Sequence, residues 1–186
     1  RGVLLPSGVM ALLPAEPTFG EMESAGGSIV TSGVTHIVGD LFVGSGHIER
    51  VTAYETGLFG HHTFQGEHGE PDPLIADERF LAAHVRGRGM SVLSACSHAG
   101  VVNACLGAMA LFPDVPVDVV LGGYHLAGAA LEQRISDTVR DLAELVRPGV
   151  VAPGHCTGWR AKAALANAFA PGHYGPSSVG SRYLLN

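Results

Sequence analysis

The pattern of apolar and polar positions changes character about halfway along the chain. From Met90 onward, short apolar runs alternate with longer stretches of helical period. They run in the order "MSVLSAC", "GVVNACLGAMALF", "VDVVLGG", "LEQRISDTVRDLAELVR", "GVVAPG" and "GWRAKAALANAF". Short apolar runs bounded by turn residues predict buried strands, and the stretches between them predict helices. Within the fourth stretch Ile135, Val139, Leu142 and Val146 share one face, so a single amphipathic helix is predicted there. Strands alternating with helices make an α/β layer.

Ahead of that layer the pattern is β-like and heavily punctuated. "GSIVTS", "THIVGDLFVGSG" and "HIERVTAY" read as short strands broken at hairpin spacing. "ERFLAAHV" and "MSVLSAC", joined by an Arg-Gly-Arg-Gly turn, predict a hairpin with a buried second strand. From Gly57 to Asp77, "GLFGHHTFQGEHGEPDPLIAD" has no period and many breakers, and a long loop is expected. Such loops are uncommon in compact domains unless they carry function. The fold class read from the pattern is α/β with a β-rich front section.

Composition narrows the function classes. With 186 residues, 46% apolar and 15% charged, the chain is globular and long enough for one domain with a core. A net charge of −6 without a long basic run argues against a nucleic-acid surface. Pro, Gly or a charge interrupts every apolar run short of a membrane span, so no membrane partner is expected. The apolar opening "RGVLLPSGVMALLPAEP" is broken by prolines and lacks a clean cleavage site, and is not read as a signal peptide. Three cysteines without framework spacing suit a reducing compartment, and a cytoplasmic location is expected.

The candidate chemistry lies where strands give way to helices. His98 follows one buried strand and His155 another, each followed within three residues by a glycine, Gly100 or Gly158, that lets the backbone turn sharply. In α/β sheets, ligand sites gather at the carboxyl ends of strands. Neutral imidazole is a preferred ligand for zinc and similar ions. His125, in "VVLGGYHLAG", stands just past a third strand. On spacing alone, metal ligation and ordinary surface or cap roles stay open for His98 and His155. For His125 the alternatives are ligation and substrate contact.

"LSACSHAGVVN", "LGGYHL" and "PGHCTG", in that order, resemble the metallo-β-lactamase-fold superfamily. The likeness is to its branch of metal-dependent hydrolases related to 7,8-dihydropterin-6-yl-methyl-4-(β-D-ribofuranosyl)aminobenzene 5'-phosphate synthase. "GSGHIERVTAYETG" and "DPLIADERFLAAHVRGRGMSVL" are similar to the same branch. The resemblance implies an αββα sandwich with a divalent metal at the strand ends, zinc first, with manganese or iron as alternatives. It makes His98 and His155 metal ligands and gives His125 the catalytic part, stabilising developing charge or assisting proton transfer. A metal-activated water would then hydrolyse an ester, lactone or phosphoester of a small-molecule substrate. A synthase-like transferase, and a non-catalytic binding subunit that has lost the metal, are the alternatives.

Around these histidines, Cys96, Ser97, Asn103, Cys156, Thr157, Ser177 and Gly180 are candidates for supporting the ligands or binding substrate. A thiolate is a good soft ligand, although a small buried cysteine is the commoner use. Thr157 is placed to cap the last helix. The superfamily's His-x-His-x-Asp-His run is absent, and Gly122-Gly123-Tyr124 stands where a metal-bridging acid is expected. His61, His62 and His68 do not have the spacing of that run and read as mobile-loop histidines. Residues 1–186 therefore resemble the second half of such a domain, a single domain or its C-terminal portion. The first half is expected on a separate fragment or chain.

Overall fold

The computed structural model describes residues 1–184. The α/β layer is built on a six-stranded sheet of order β10-β9-β8-β7-β4-β3. Its strands are β3 (His36–Val38), β4 (Phe42–Gly44), β7 (Phe80–Val85), β8 (Gly89–Ser94), β9 (Val117–Gly122) and β10 (Val150–Pro153). β7 and β8 form the hairpin expected around Arg-Gly-Arg-Gly, with Phe80 opposite Ser94 and Val85 opposite Gly89. β8, β9 and β10 run parallel. Parallel neighbours need a crossover, and helices supply both. α2 (Val101–Leu111) joins β8 to β9, and α3 (Ala129–Glu132) with α4 (Ile135–Asp141) joins β9 to β10.

Register decides where the ends of these strands fall. Ser94 pairs with Gly122, and Gly122 pairs with Pro153. The three parallel strands thus end level, and the residues just past each end leave the sheet side by side. Those residues are Ala95–His98, Gly123–His125 and Gly154–Cys156.

One face of this sheet carries the core. Met90, Val92 and Val120 pack with Val101, Val102, Cys105 and Ala108 of α2, with Leu142 and Val146, and with Ala161 and Leu165 of α5 (Trp159–Ala168). The opposite face, with Ala83, Leu93, Val119 and Leu121 beside Leu41 and Phe42, lines an apolar groove of about 480 Å³.

A second sheet, of order β2-β1-β5-β6, holds β1 (Gly2–Leu4), β2 (Met10–Leu12), β5 (His61–Gln65) and β6 (His68–Pro71). It overturns the loop expected over 57–77. The glycines that looked like breakers include a hairpin turn, at Gly66 with φ 64°. β1 supplies β5 with an antiparallel partner that no local pattern could announce. His61, His62 and His68 are therefore strand residues, and His61 is buried with Nδ1 2.8 Å from the Asp72 carbonyl.

Three further expectations change. "GSIVTS" and "HIERVTAY" are not strands. The second is held instead by the Asn103 side chain, whose Oδ1 accepts from the backbone N–H groups of Val51 and Thr52 at 3.0 and 2.9 Å. A short α1 (Phe19–Ser24) opens with a Thr18/Glu21 capping box, a signal present in the sequence as Thr-x-x-Glu. The single helix expected over 131–147 is broken at Gln133–Arg134. There the Arg134 guanidinium donates to Thr56 Oγ1 and the Gly57 carbonyl. Its last turn, Leu142–Val146, is a wider π-turn. The apolar face survives the break: Leu142 and Val146 are buried, and Ile135 and Val139 pack on the core.

Two buried carboxylates hold the start of α2, which has no side-chain cap of its own. Glu78 accepts from the N–H groups of His98 and Ala99 at 2.8 and 2.6 Å. Glu55 accepts from those of Val102 and Asn103 at 3.0 and 2.8 Å. Negative charge at a helix start offsets its unpaired donors. Burial nonetheless pushes the Glu55 carboxyl up to about 7, against these hydrogen bonds and the nearby charge of Arg134.

Between the ordinary carboxyl value near 4.5 and about 7, the folded protein keeps a proton that the unfolded chain gives up. Stability therefore falls as pH rises through that window, by about 3 kcal/mol from this group. Urea titrations are expected to show wild type less stable at about pH 8 than at about pH 5, and Glu55→Gln to flatten that slope. An unchanged slope in the variant would assign it to other groups.

Candidate metal centre

Three turns at the level ends of β8, β9 and β10 bring the donor atoms of Cys96, His125 and Cys156 within 4.8 Å of one another, with the His98 ring against that of His125 and His155 exposed in a separate cavity outside this group. Two of the turns use left-handed backbone at non-glycine residues, Ser97 with φ 61° and His125 with φ 47°. Such conformations cost free energy and persist where the surroundings fix them. Ser97 is fixed by a buried hydrogen bond from its Oγ to Ser94 Oγ at 2.8 Å. The turn that carries His125 is fixed by the N–H groups of Leu126 and Ala127, which both donate to the Cys156 carbonyl.

His98 is oriented by a carboxylate. Its Nδ1 lies 3.0 Å from Glu78 Oε1. A carboxylate only accepts, so Nδ1 carries the proton and the Nε2 lone pair is left available. Metal-ligating histidines are typically held this way. Burial works to raise the Glu78 pKa, yet the hydrogen bonds from the His98 ring and the Ala99 and His98 backbone hold it below the usual value. The His98 and His125 rings meet edge to face, with centroids 4.5 Å apart.

Next to this pair, Cys96, His125 and Cys156 place one donor atom each within 4.8 Å of one another. Cys96 Sγ lies 3.3 Å from His125 Nδ1 and donates to Cys156 Sγ at 3.0 Å. The Cys96 thiol hydrogen bond draws the Cys156 pKa well below the ordinary thiol range. Burial opposes that shift, and the His125 side chain and N–H add to it. The same bond, together with burial, pushes Cys96 up.

His155 completes the arrangement at Gly123. A Cβ on Gly123 would lie 2.6 Å from Cys156 Sγ, 2.8 Å from His155 Cε1 and 2.9 Å from His155 Nε2, so the absent side chain is what lets these groups converge. Cavities open on both sides. One of about 280 Å³ is lined by Arg1, Glu78, Arg79, Cys96 and His98. The other, about 540 Å³, is lined by His155, Lys162, Ser177 and Ser178.

The donor set fits a divalent transition metal. It offers imidazoles and thiols, His98 has a free Nε2, and the buried His125 Nε2 has no hydrogen-bond partner. Imidazole and thiolate are preferred ligands of zinc.

The remaining sequence candidates separate. Ser177 lines the His155 cavity, whereas Gly180 sits in an exposed turn with φ 87° and does not. Asn103 is held by backbone, its Oδ1 accepting from residues 51 and 52 and its Nδ2 donating to the Ala99 carbonyl. Thr157 is not the helix cap. Gly158 takes that position in α5, and Thr157 Oγ1 accepts from Tyr124 N–H at 3.2 Å, tying two of the turns together. Sequence reasoning missed Glu78. The hairpin register could have found it, since Phe80 opposite Ser94 sets Glu78 beside the residues that follow β8.

Comparison with known proteins bears out the resemblance. No family model matches the chain. Over 90 residues, 47% of its length, the chain is 37% identical to 7,8-dihydropterin-6-methyl-4-(β-D-ribofuranosyl)-aminobenzene-5'-phosphate synthase of Methanocaldococcus jannaschii. That match spans 29% of the synthase. A crystal structure of a metal-dependent hydrolase of the β-lactamase superfamily superposes with a TM-score of 0.73 at 23% identity, over 90% of this chain and 62% of that one. The fold is thus a mixed α/β fold with two sheets, of the metallo-β-lactamase kind, and the chain spans under two thirds of either relative.

Proposed function

We propose that the chain carries the second half of a metal-dependent hydrolase centre acting on an ester, lactone or phosphoester. The observation that carries this reading is His98, held through Nδ1 by Glu78 with Nε2 free, at strand ends shared with His125, His155 and two thiols. His98 and His155 would hold a divalent ion, zinc before manganese or iron. When bound, the ion supplies Lewis acidity toward a water and toward the substrate's carbonyl or phosphoryl oxygen.

The chain's own residues do the rest. Glu78 fixes the His98 ring in the tautomer that leaves Nε2 free. His125 stabilises developing charge or passes a proton: its Nε2 is enclosed without a partner, so a polar atom brought against it gains a hydrogen bond the fold does not supply. Lys162, Ser177 and Ser178, in the cavity beside His155, favour an anionic group such as a phosphoester.

The ligand set drawn from this chain is short of the three or four protein ligands of stable sites. We propose that ligands from a first half of the domain, which residues 1–186 do not contain, complete it. The apolar groove on the face of the six-stranded sheet opposite the core supports that reading. The three free cysteines support a cytoplasmic setting. Among the described residues, no helix is long and apolar enough to cross a membrane.

The partial match to the synthase favours a second reading, a transferase of that kind. To test the first, the protein with any companion fragment retained is assayed on chromogenic ester, lactone and phosphoester substrates. Turnover is expected, abolished by a chelator and restored by zinc, manganese or iron. Hydrolysis that survives complete metal removal would overturn the metal-dependent reading. Metal binding without hydrolysis of any of the three classes would move the assignment to the transferase.

A further inference from the structure

We propose that Cys96, His125 and Cys156 form a thiophilic metal site that this chain carries by itself, distinct in its donor atoms from His98 and His155. The three residues come from three separate turns, each anchored at the end of a parallel strand of one sheet. They are rigidly placed by register rather than gathered by a flexible loop. Their donor atoms already converge within 4.8 Å. A tetrahedral zinc with Zn–S of about 2.3 Å sets two sulfurs about 3.8 Å apart. The Sγ–Sγ distance is 3.0 Å, so the two sulfurs must part by about 0.8 Å to admit an ion, a change within reach of side-chain rotation.

Chemistry selects the ion. Two sulfurs and one imidazole are a soft-to-borderline set, suited to Zn²⁺ or Cu⁺ rather than to magnesium or calcium. Two thiolates neutralise a divalent ion in a half-buried place, which limits the desolvation cost of all three charges. The surroundings supply the outer contact that thiolate sites use, because the His125 N–H donates to Cys156 Sγ at 3.2 Å. Coordination through His125 Nδ1, the nitrogen facing Cys96, leaves the proton on Nε2. That is the tautomer which donates to developing negative charge, so the site would also set the state in which His125 acts. Only this last consequence rests on the hydrolytic reading. Cys105 takes no part, since it lies fully buried in the core on α2.

Cobalt(II) distinguishes this site from a histidine site, because only thiolate ligation gives an intense sulfur-to-cobalt charge-transfer band in the near ultraviolet. The full chain, reduced with a non-thiol reductant, is titrated with Co²⁺ alone. One ion per chain is expected, with the band present. Cys96→Ser and Cys156→Ser are each expected to remove most of the band and to weaken binding at least tenfold. Cys105→Ala and His98→Ala are expected to leave it in place.

Should a serine variant fail to fold, wild-type protein gives an independent readout. Zn²⁺ is expected to protect Cys96 and Cys156 from alkylation, mapped by peptide mass. Cobalt bound without the band, a band that survives both serine variants, or thiols equally reactive with and without zinc would overturn the proposal. In the first of these cases the hydrolytic reading would stand.

Discussion

Replacing His98 by alanine is expected to remove the hydrolytic ion from the assembled protein, while the Cys96, His125 and Cys156 site keeps its own, and to lower hydrolysis by ~10³-fold or more, since both the ligand and the chemistry it anchors are lost. The fold should survive, because His98 is only partly buried and the backbone N–H groups of residues 98 and 99 still reach Glu78. Glu78→Gln gives a graded version of the same test. The amide still accepts one hydrogen bond, but it no longer brings a negative charge to the His98 Nδ1–H. Losing such an outer partner typically costs 10- to 100-fold in metal affinity. Metal content, thermal melting and turnover measured together separate the two variants. If His98→Ala kept its metal and its rate, the Glu78–His98 pair would be structural and the centre would lie elsewhere.

Gly122→Ala is expected to be the most damaging single substitution for stability in this region, at about 3 kcal/mol or more. Two costs combine. Gly122 has φ 144°, which side-chain-bearing residues rarely adopt. A Cβ there would also run into the carbonyl oxygen of Ser94 on the neighbouring strand. That obstacle is backbone, held by the β8–β9 ladder, and it cannot swing away as a side chain would. Gly123→Ala should behave differently, because its Cβ would meet the side chains of Cys156 and His155, which can move. It is expected to cost little stability but to disturb metal binding. Urea denaturation compared with metal affinity resolves the pair, and equal loss of stability in both would contradict this division.

How much of the fold was legible in the sequence depends on which forces are local. The parallel strands and the helices between them were readable from Met90 onward, since buried parallel strands are apolar on both faces and announce themselves as continuous runs. The β7–β8 hairpin was readable from its turn. The second sheet was not, because β5 finds its partner β1 far away in the chain, and its exposed hairpin partner β6 has no apolar pattern. The break at Arg134 was equally invisible, since it goes with hydrogen bonds to Thr56 and Gly57.

The candidate centre divides in the same way. His98, His125 and His155 could be found as residues at strand ends. That Cys96 and Cys156 touch depends on the level register of Ser94, Gly122 and Pro153, which no spacing reveals. Glu78 and Glu55, each holding the start of α2 from a distance, read only as ordinary acids until the fold set them there.

The most direct test of the metal-dependent account is the metal content of the protein, purified without chelator and with any companion fragment retained. Elemental analysis is expected to find at least one divalent transition metal per fold unit, and fewer in His98→Ala. Protein that holds no metal, and takes up none when zinc, manganese or iron is added, would contradict the account.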